Sequence, residues 1–146
     1  MIHSGVQTLD AAGIPYAVAG GLAVSIYTVP RATEDIDVLI ARRDLERADT
    51  ALASLGFERA GQPMKVSGGR LEIQRMIKIE GRDLLPIDFL MPGDPMLQPV
   101  LADRVSVEWE GRRIWIVSLR SLRELKRLRG SAQDRADLEA LGPETA

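Results

Sequence analysis

Two aspartates separated by a single residue, Asp35 and Asp37, are the first feature of this sequence that indicates chemistry. The apolar residues around them predict a β-strand over Ile36–Ile40. Residues i and i+2 of a strand point to the same face, so both carboxylates project together while Ile36 enters the core. The two charges repel each other unless a cation lies between them, and Mg²⁺ prefers carboxylate oxygens. The alternative is an ordinary strand whose outer face is solvated.

A third aspartate, Asp88, is the single acidic residue of the apolar segment 84–91, which also predicts a strand. A charge within such a segment is costly unless it is paired or bound to a metal. Three carboxylates from two strands could form a two-metal site, which clamps the attacking and leaving oxygens in phosphoryl transfer. The alternative is that Asp88 lies at a sheet edge or pairs with an arginine.

A pair of glycines, Gly20 and Gly21, separates a predicted buried strand, Tyr16–Ala19, from a predicted helix over 22–28. Glycines let a phosphate approach the backbone closely, and a helix N-terminus offers N–H groups and the positive end of the helix dipole. The order strand, glycines, helix therefore predicts a phosphate-binding turn. The alternative is a plain turn, which is what most Gly-Gly pairs form.

The order and spacing of these motifs resemble the signature of the DNA polymerase β-like nucleotidyltransferase superfamily. In this sequence Val18-Ala19-Gly20-Gly21 is followed, after 13 residues, by Asp35-Ile36-Asp37-Val38. The stretch 30–37 is similar to that of bacterial members grouped with the toxin of the abortive-infection type IV systems. Lincosamide nucleotidyltransferases share the Gly-Gly pair and the Arg-x-Thr-x-Asp-Ile-Asp pattern, so the resemblance does not select a substrate.

The resemblance implies an α+β nucleotidyltransferase fold, with a small mixed sheet flanked by helices. It makes Asp35 and Asp37 shared ligands of two Mg²⁺ ions, with Mn²⁺ as the possible substitute. Asp88 would be the third metal ligand or the base that activates the acceptor. Gly20 and Gly21 would contact the β- and γ-phosphates of a nucleoside triphosphate.

The same resemblance makes three further residues nucleotide-binding candidates: Arg31, Thr33 and Lys126. Arg31 and Thr33 would lie near the phosphates, although Arg31 could instead neutralise a neighbouring acid and Thr33 could cap a turn. Lys126 belongs to a predicted C-terminal helix and either contacts phosphate or forms part of a solvated basic surface. Asp134 and Asp137, in the acid-rich helix that follows, are expected to orient Lys126 or arginines rather than to bind metal.

Composition limits the other chemistry open to these 146 residues. With no cysteine and one histidine, His3, the sequence cannot supply Cys/His zinc sites, thiol nucleophiles or Ser-His-Asp triads. A net charge of -2 argues against a general nucleic-acid coating protein. No apolar run approaches the roughly 20 residues that span a bilayer, and no secretory signal pattern opens the sequence. We expect one cytoplasmic nucleotidyltransferase domain over 1–146, with its core at about 14–141.

Periodicity and turn residues predict the remaining elements. One hairpin is predicted from 71–80 and 84–91, and a second from 105–109 and 113–117. The Gly, Pro and Ser residues of 61–69 predict a mobile loop. Helices are predicted over 2–12, 44–55 and 119–129, with a last helix from Ser131 to Gly142.

These features predict transfer of a nucleoside monophosphate from a nucleoside triphosphate to an acceptor, with release of pyrophosphate. The acceptor is open among RNA, protein and a small molecule. Arg120, Arg123 and Arg127 form either an RNA-binding track or a solvated basic face. The leading context is the toxin of a toxin–antitoxin pair, with an antitoxin or a second copy as partner and no membrane. The alternatives are a catalytically silent nucleotide- or partner-binding domain of the same fold, and an antibiotic-modifying nucleotidyltransferase.

Overall fold

The computed structural model describes residues 2–28, 36–93 and 99–142. Within these ranges the chain forms six helices and eight strands. The helices are α1 (Ile2–Ala11), α2 (Gly20–Tyr27), α3 (Leu45–Ala53), α4 (Pro99–Ala102), α5 (Leu119–Arg129) and α6 (Ala132–Leu141). The strands are β1 (Tyr16–Ala19), β2 (Ile36–Ile40), β3 (Glu58–Arg59), β4 (Met64–Val66), β5 (Leu71–Glu80), β6 (Asp83–Pro92), β7 (Val105–Trp109) and β8 (Arg112–Ile116).

All eight strands join one mixed sheet in the order β3-β5-β6-β2-β1-β8-β7, with β4 also paired to β5. Two hairpins, β5–β6 and β7–β8, form its outer parts. Between them lie β2 and β1, which are antiparallel to each other and parallel to β6 and β8 respectively. The two short strands that carry the Asp37 and Gly-Gly motifs are therefore enclosed in the middle of the sheet.

The two faces of the sheet are covered by different helices. On one face, apolar residues of α1 and α3 pack on Val38, Phe89 and Ile114. On the other face, α2, α4 and α5 cover the alternate residues of the same strands, among them Leu39 and Leu90. Side chains alternate along a strand, so the faces of these apolar residues also determine the face of each polar residue between them. Asp37 and Asp88 share the α2 and α5 face with the two leucines.

The last two helices, α5 and α6, have well-defined ends. Ser118 caps α5 by accepting a hydrogen bond from the Ser121 N–H, and Gly130 ends that helix in the left-handed conformation with φ +64°. Ser131 and Asp134 form a reciprocal capping box at the start of α6. The short connection folds α6 back onto α5, and both helices pack against α2.

Two predictions from the sequence are corrected by the structure. The segment 61–69 is not simply a loop, because β4 lies within it and pairs with β5, and a single helical turn follows over Ser67–Gly69. Arg123 is 7% exposed and donates to the Leu141 carbonyl, so it cannot form a surface track with Arg120 and Arg127. In the part of the chain that the structure describes, no helix has both the length and the apolar character that crossing a bilayer requires.

Candidate active site

A row of four residues crosses the centre of the sheet on the α2 and α5 face. Asp37 of β2 lies directly opposite Asp88 of β6. The row continues with Arg75 on β5 beyond Asp88, and with Ala19 on β1 beyond Asp37. Residues directly opposite each other in neighbouring strands point to the same face. The structure thus brings together two of the three predicted carboxylates with the residue that precedes the Gly-Gly pair.

Asp37 is buried, with 7% of its surface exposed, and Gly20 packs against its side chain. A Cβ atom placed on Gly20 would overlap the Asp37 carboxylate, so a larger residue would displace that side chain. Gly20 also has a φ of +63°, in the left-handed region where side chains are strained. Glycine is therefore required at this position both for its backbone conformation and for its close approach to Asp37.

The helix α2 begins at Gly20, two residues earlier than the sequence predicts, and Gly21 lies half-exposed in its first turn. Its N-cap residue is Ala19, whose side chain makes no capping hydrogen bond. The first N–H groups of a helix and the positive end of its dipole attract anions. This end of α2, next to the Asp37 carboxylate, has the features of a phosphate-binding turn.

Asp88 forms a two-point ion pair with Arg75. The Arg75 Nε atom lies 2.8 Å from Asp88 Oδ1, and Nη2 lies 3.0 Å from Oδ2. The Asp88 side chain is 15% exposed and that of Arg75 is 49% exposed, so the arginine covers the acid from the solvent side. Pairing with an arginine is the alternative to metal binding that the sequence analysis gives for Asp88, and Arg75 is that partner. A carboxylate has about four lone-pair positions, so this pair still leaves Asp88 acceptor capacity.

Lys126 is buried between the last two helices, with 4% of its surface exposed. Its Nζ atom lies 3.0 Å from Asp134 Oδ1 and 2.8 Å from Asp137 Oδ2. Asp134 and Asp137 therefore make the contacts with Lys126 that the predicted orienting role requires, and the role itself stays a prediction. The surface position that was the alternative for Lys126 is wrong, because α6 folds over it.

Three of the predicted site residues, Arg31, Thr33 and Asp35, lie outside the described residues. Among residues 2–28, 36–93 and 99–142, no three acidic or histidine side chains cluster closely enough to hold a metal ion. The pair that these ranges do contain, Asp37 with Asp88, has the hard oxygen donors that Mg²⁺ and Mn²⁺ prefer. The donor chemistry of this pair therefore fits the metal that the resemblance implies.

Two arginines next to the acids were not singled out from the sequence. Hairpin register could have identified Arg75. Glu80 pairs with Asp83 next to the turn, so the residue five positions before Glu80 lies opposite the residue five positions after Asp83, which pairs Arg75 with Asp88. Arg129 follows Lys126 by three residues and so lies on the same side of α5. Its Nη1 atom is 3.6 Å from Asp37 Oδ2, a long-range contact that no local pattern indicates.

Comparison with solved structures shows which fold this arrangement belongs to. TM1012 of Thermotoga maritima, which carries a provisional nucleotidyltransferase assignment, aligns with a TM-score of 0.69 at 14% identity, over 94% of this chain and 88% of its own. ANT(2″)-Ia, solved in complex with adenylyl-2″-tobramycin, aligns with a TM-score of 0.64 at 14% identity, over 96% and 84%. The chain has the nucleotidyltransferase fold.

A third similar structure is the lincomycin-bound lincosamide antibiotic adenylyltransferase LnuA, with a TM-score of 0.60 at 15% identity. The alignment covers 99% of this chain and 96% of LnuA. No protein-family model matches the sequence, and no curated protein matches it either. At these identities the likeness concerns the path of the backbone, which confirms the mixed sheet with flanking helices expected from the sequence.

Proposed function

We propose that the protein transfers a nucleoside monophosphate from a nucleoside triphosphate to an acceptor, at the site formed by Gly20, Asp37 and Asp88. The observation that carries this proposal is the direct opposition of Asp37 and Asp88 on parallel strands, with Gly20 packed on one of the two carboxylates. The N-terminus of α2 then lies next to a pair of acids, as binding of a metal-complexed triphosphate would require. The nucleotidyltransferase fold supports the same reaction.

In this proposal Asp35 and Asp37 hold divalent metal, and Asp88 is either a third ligand or the base. Bound Mg²⁺ or Mn²⁺ would supply charge neutralisation for the triphosphate and for the oxygens of the displacement. The backbone at Gly20 and Gly21 binds the outer phosphates, with Arg31 and Thr33 near them. In the base role, Asp88 takes the proton of the acceptor hydroxyl, whose oxygen attacks the α-phosphorus as the bond to pyrophosphate breaks.

The biological context is proposed from the resemblance, and the acceptor is RNA, protein or a small molecule. A toxin of a toxin–antitoxin pair, acting in the cytoplasm, is the context we favour. The antibiotic-modifying alternative is supported by the similarity to ANT(2″)-Ia, which was solved with adenylyl-2″-tobramycin, and to the lincosamide antibiotic adenylyltransferase LnuA. A catalytically silent nucleotide-binding domain is a second candidate function, because the two-point contact with Arg75 engages both oxygens of Asp88.

The test measures nucleotide binding and transfer separately. Calorimetry with each of the four nucleoside triphosphates is done with Mg²⁺, with Mn²⁺ and with a chelator, on wild type, Asp37→Asn and Asp88→Asn. We expect metal-dependent binding that Asp37→Asn weakens. Transfer of labelled α-phosphate should fall by at least about 100-fold in both variants, because several kcal/mol of transition-state stabilisation are lost.

The matched control is Asp83→Asn, which removes an exposed acid from the same strand as Asp88. It should bind and transfer like wild type. Nucleotide binding that needs no metal and survives Asp37→Asn would contradict the proposal. Metal-dependent binding without transfer to RNA, to protein extract or to the protein itself would favour the silent domain.

A further inference from the structure

The contact between α5 and α6 contains a group of buried charges that reaches the proposed site. Lys126, Asp134 and Asp137 are 4%, 1% and 1% exposed. The Lys126 ammonium lies between the two carboxylates, at 3.0 Å and 2.8 Å. Charges buried this deeply must be paired, and here the lysine is engaged by its own helix pair. Its ammonium is therefore committed to Asp134 and Asp137 rather than turned towards solvent.

Asp134 is the most strongly bonded member of this group. Burial disfavours its ionised form, but the hydrogen bond from Ser131 and the charges of Lys126 and Arg129 outweigh that effect and lower its pKa. The Ser131 Oγ atom donates to Asp134 Oδ2 at 2.6 Å, and the Ser131 N–H donates to the same oxygen at 3.2 Å. Asp134 is thus a fixed negative charge to which a second cation can be anchored.

That second cation is Arg129, at the last position of α5. Its Nε atom lies 3.7 Å from Asp134 Oδ2, and its Nη1 atom lies 3.6 Å from Asp37 Oδ2. Arg129 thus connects the buried charges to the acid that Gly20 touches. Both distances are longer than those from the Lys126 ammonium to Asp134 and Asp137. A guanidinium has five N–H donors, more than these two contacts use. The Arg129 side chain is 37% exposed, so part of it faces solvent beside Asp37.

We propose that Arg129 binds the triphosphate, and that Lys126, Asp134 and Asp137 position it. This inference rests on the proposed nucleotidyl transfer. The guanidinium fork suits phosphate oxygens, and Arg129 and the N-terminus of α2 flank the same carboxylate. Lys126, predicted as a phosphate ligand, then acts through Arg129 instead of touching the nucleotide.

The charges at Asp37 also predict how Arg129 affects metal binding. A divalent cation at Asp37 and the guanidinium close to it repel each other, unless an anion lies between them. Arg129 should therefore disfavour metal alone and favour metal together with a triphosphate. A residue that merely supports the fold would not have opposite effects on these two ligands.

The experiment is calorimetry on wild type, Arg129→Ala and Arg129→Lys with Mn²⁺ alone and with the best-bound nucleoside triphosphate in the presence of Mn²⁺. The monophosphate and the nucleoside of the same base are measured in parallel. Arg129→Ala should weaken triphosphate binding by roughly 10- to 100-fold, which is typical of a charged hydrogen-bonding pair. Binding of the nucleoside should not change, and binding of Mn²⁺ alone should be tighter. Arg129→Lys should restore part of the loss.

The control is Arg82→Ala, which removes the same charge from an exposed position in the turn between β5 and β6. It should bind all four ligands like wild type. Wild-type triphosphate affinity in Arg129→Ala would overturn the assignment of Arg129 while leaving the proposed function in place. Equal losses for the nucleoside and the triphosphate would overturn it as well, since they indicate a structural role. If wild type binds no triphosphate, the proposed function and this inference both fail.

Discussion

Asp37 and Asp88 lie opposite each other on neighbouring strands, yet their surroundings are built in different ways. Asp37 is covered by Gly20 from the start of α2 and approached by Arg129 from the end of α5. Three distant parts of the chain meet at this carboxylate. Asp88 is paired with Arg75, which belongs to the same hairpin and is half-exposed.

The difference teaches which acid depends on tertiary packing. The Asp37 environment requires that α2, α5 and the centre of the sheet are assembled together. The Asp88 pair requires the β5–β6 hairpin, whose ten-residue strands pair along their whole length. Changes to the helix pair should therefore disturb Asp37 and leave the Asp88 pair intact, and changes in the hairpin should have the opposite effect.

The largest effect is expected from Lys126→Met. This change leaves the buried carboxylates of Asp134 and Asp137 without their central cation, and breaking a buried ion pair from one side typically costs about 3–5 kcal/mol. The free energy of unfolding from denaturant titration measures the loss. Lys78→Met is the control, because the Lys78 side chain on β5 is 29% exposed and lies 4.0 Å from Glu80. It should cost less than about 1 kcal/mol. Equal losses of unfolding free energy in both variants would show that the charges of the helix pair α5–α6 matter no more for stability than those of the β5–β6 hairpin.

Gly20→Ala should have an intermediate effect. A non-glycine residue at φ +63° is strained by about 1–3 kcal/mol, and the new Cβ must also displace the Asp37 carboxylate. Gly111→Ala separates the backbone strain from the displacement of Asp37, because Gly111 has φ +77° and nothing within 4 Å of an added Cβ. We expect Gly20→Ala to be the less stable variant in thermal unfolding and to bind metal more weakly. Equal stability and unchanged metal binding would show that the contact with Asp37 is unimportant.

Arg75→Ala should have the smallest effect on stability, about 0–1 kcal/mol, because a half-exposed ion pair contributes little. Mn²⁺ should bind more tightly to this variant, because the arginine that competes for Asp88 has been removed. Arg42→Ala is the control, because Arg42 is 56% exposed and pairs with Glu72 at 2.6 Å, away from the row. Mn²⁺ titration calorimetry compares the two. Weaker Mn²⁺ binding in Arg75→Ala alone would mean that Arg75 supports the acid rather than competing for it.

The elements with strong local patterns were predictable from the sequence. The bounds of β1, β2, β5, β7 and α5 agree with the predictions to the residue. Alternation of apolar and polar residues, turn glycines and the Ser118 cap are local signals that need no knowledge of the fold. The segment 61–69 was misjudged because β4 is short and its residues are exposed or half-buried, so pairing with β5 creates the strand rather than its own pattern.

The candidate site was predictable in part. The resemblance and the cost of an isolated acid in an apolar strand pointed to Gly20, Asp37 and Asp88, and the structure packs Gly20 against Asp37 and places Asp37 opposite Asp88. Their roles stay a prediction. Arg129 was missed because its approach to Asp37 depends on how α5 packs, which no periodicity encodes. The burial of Lys126 was missed for a related reason, since it results from α6 folding back at Gly130.

The parallel pairing of β1 with β8 has a consequence for the order of folding. Val18 pairs with Ile116, and Val117 donates to the Val18 carbonyl, so the strand before the Gly-Gly turn obtains its second neighbour from the C-terminal third of the chain. Ribosomes add about 5–20 residues per second, so roughly 100 residues of delay correspond to about 5–20 s. Contacts of such long sequence separation form slowly. Both strands of the β5–β6 hairpin precede β8 in the chain, so during synthesis the hairpin that pairs Arg75 with Asp88 is complete before the strand that encloses β1 is available.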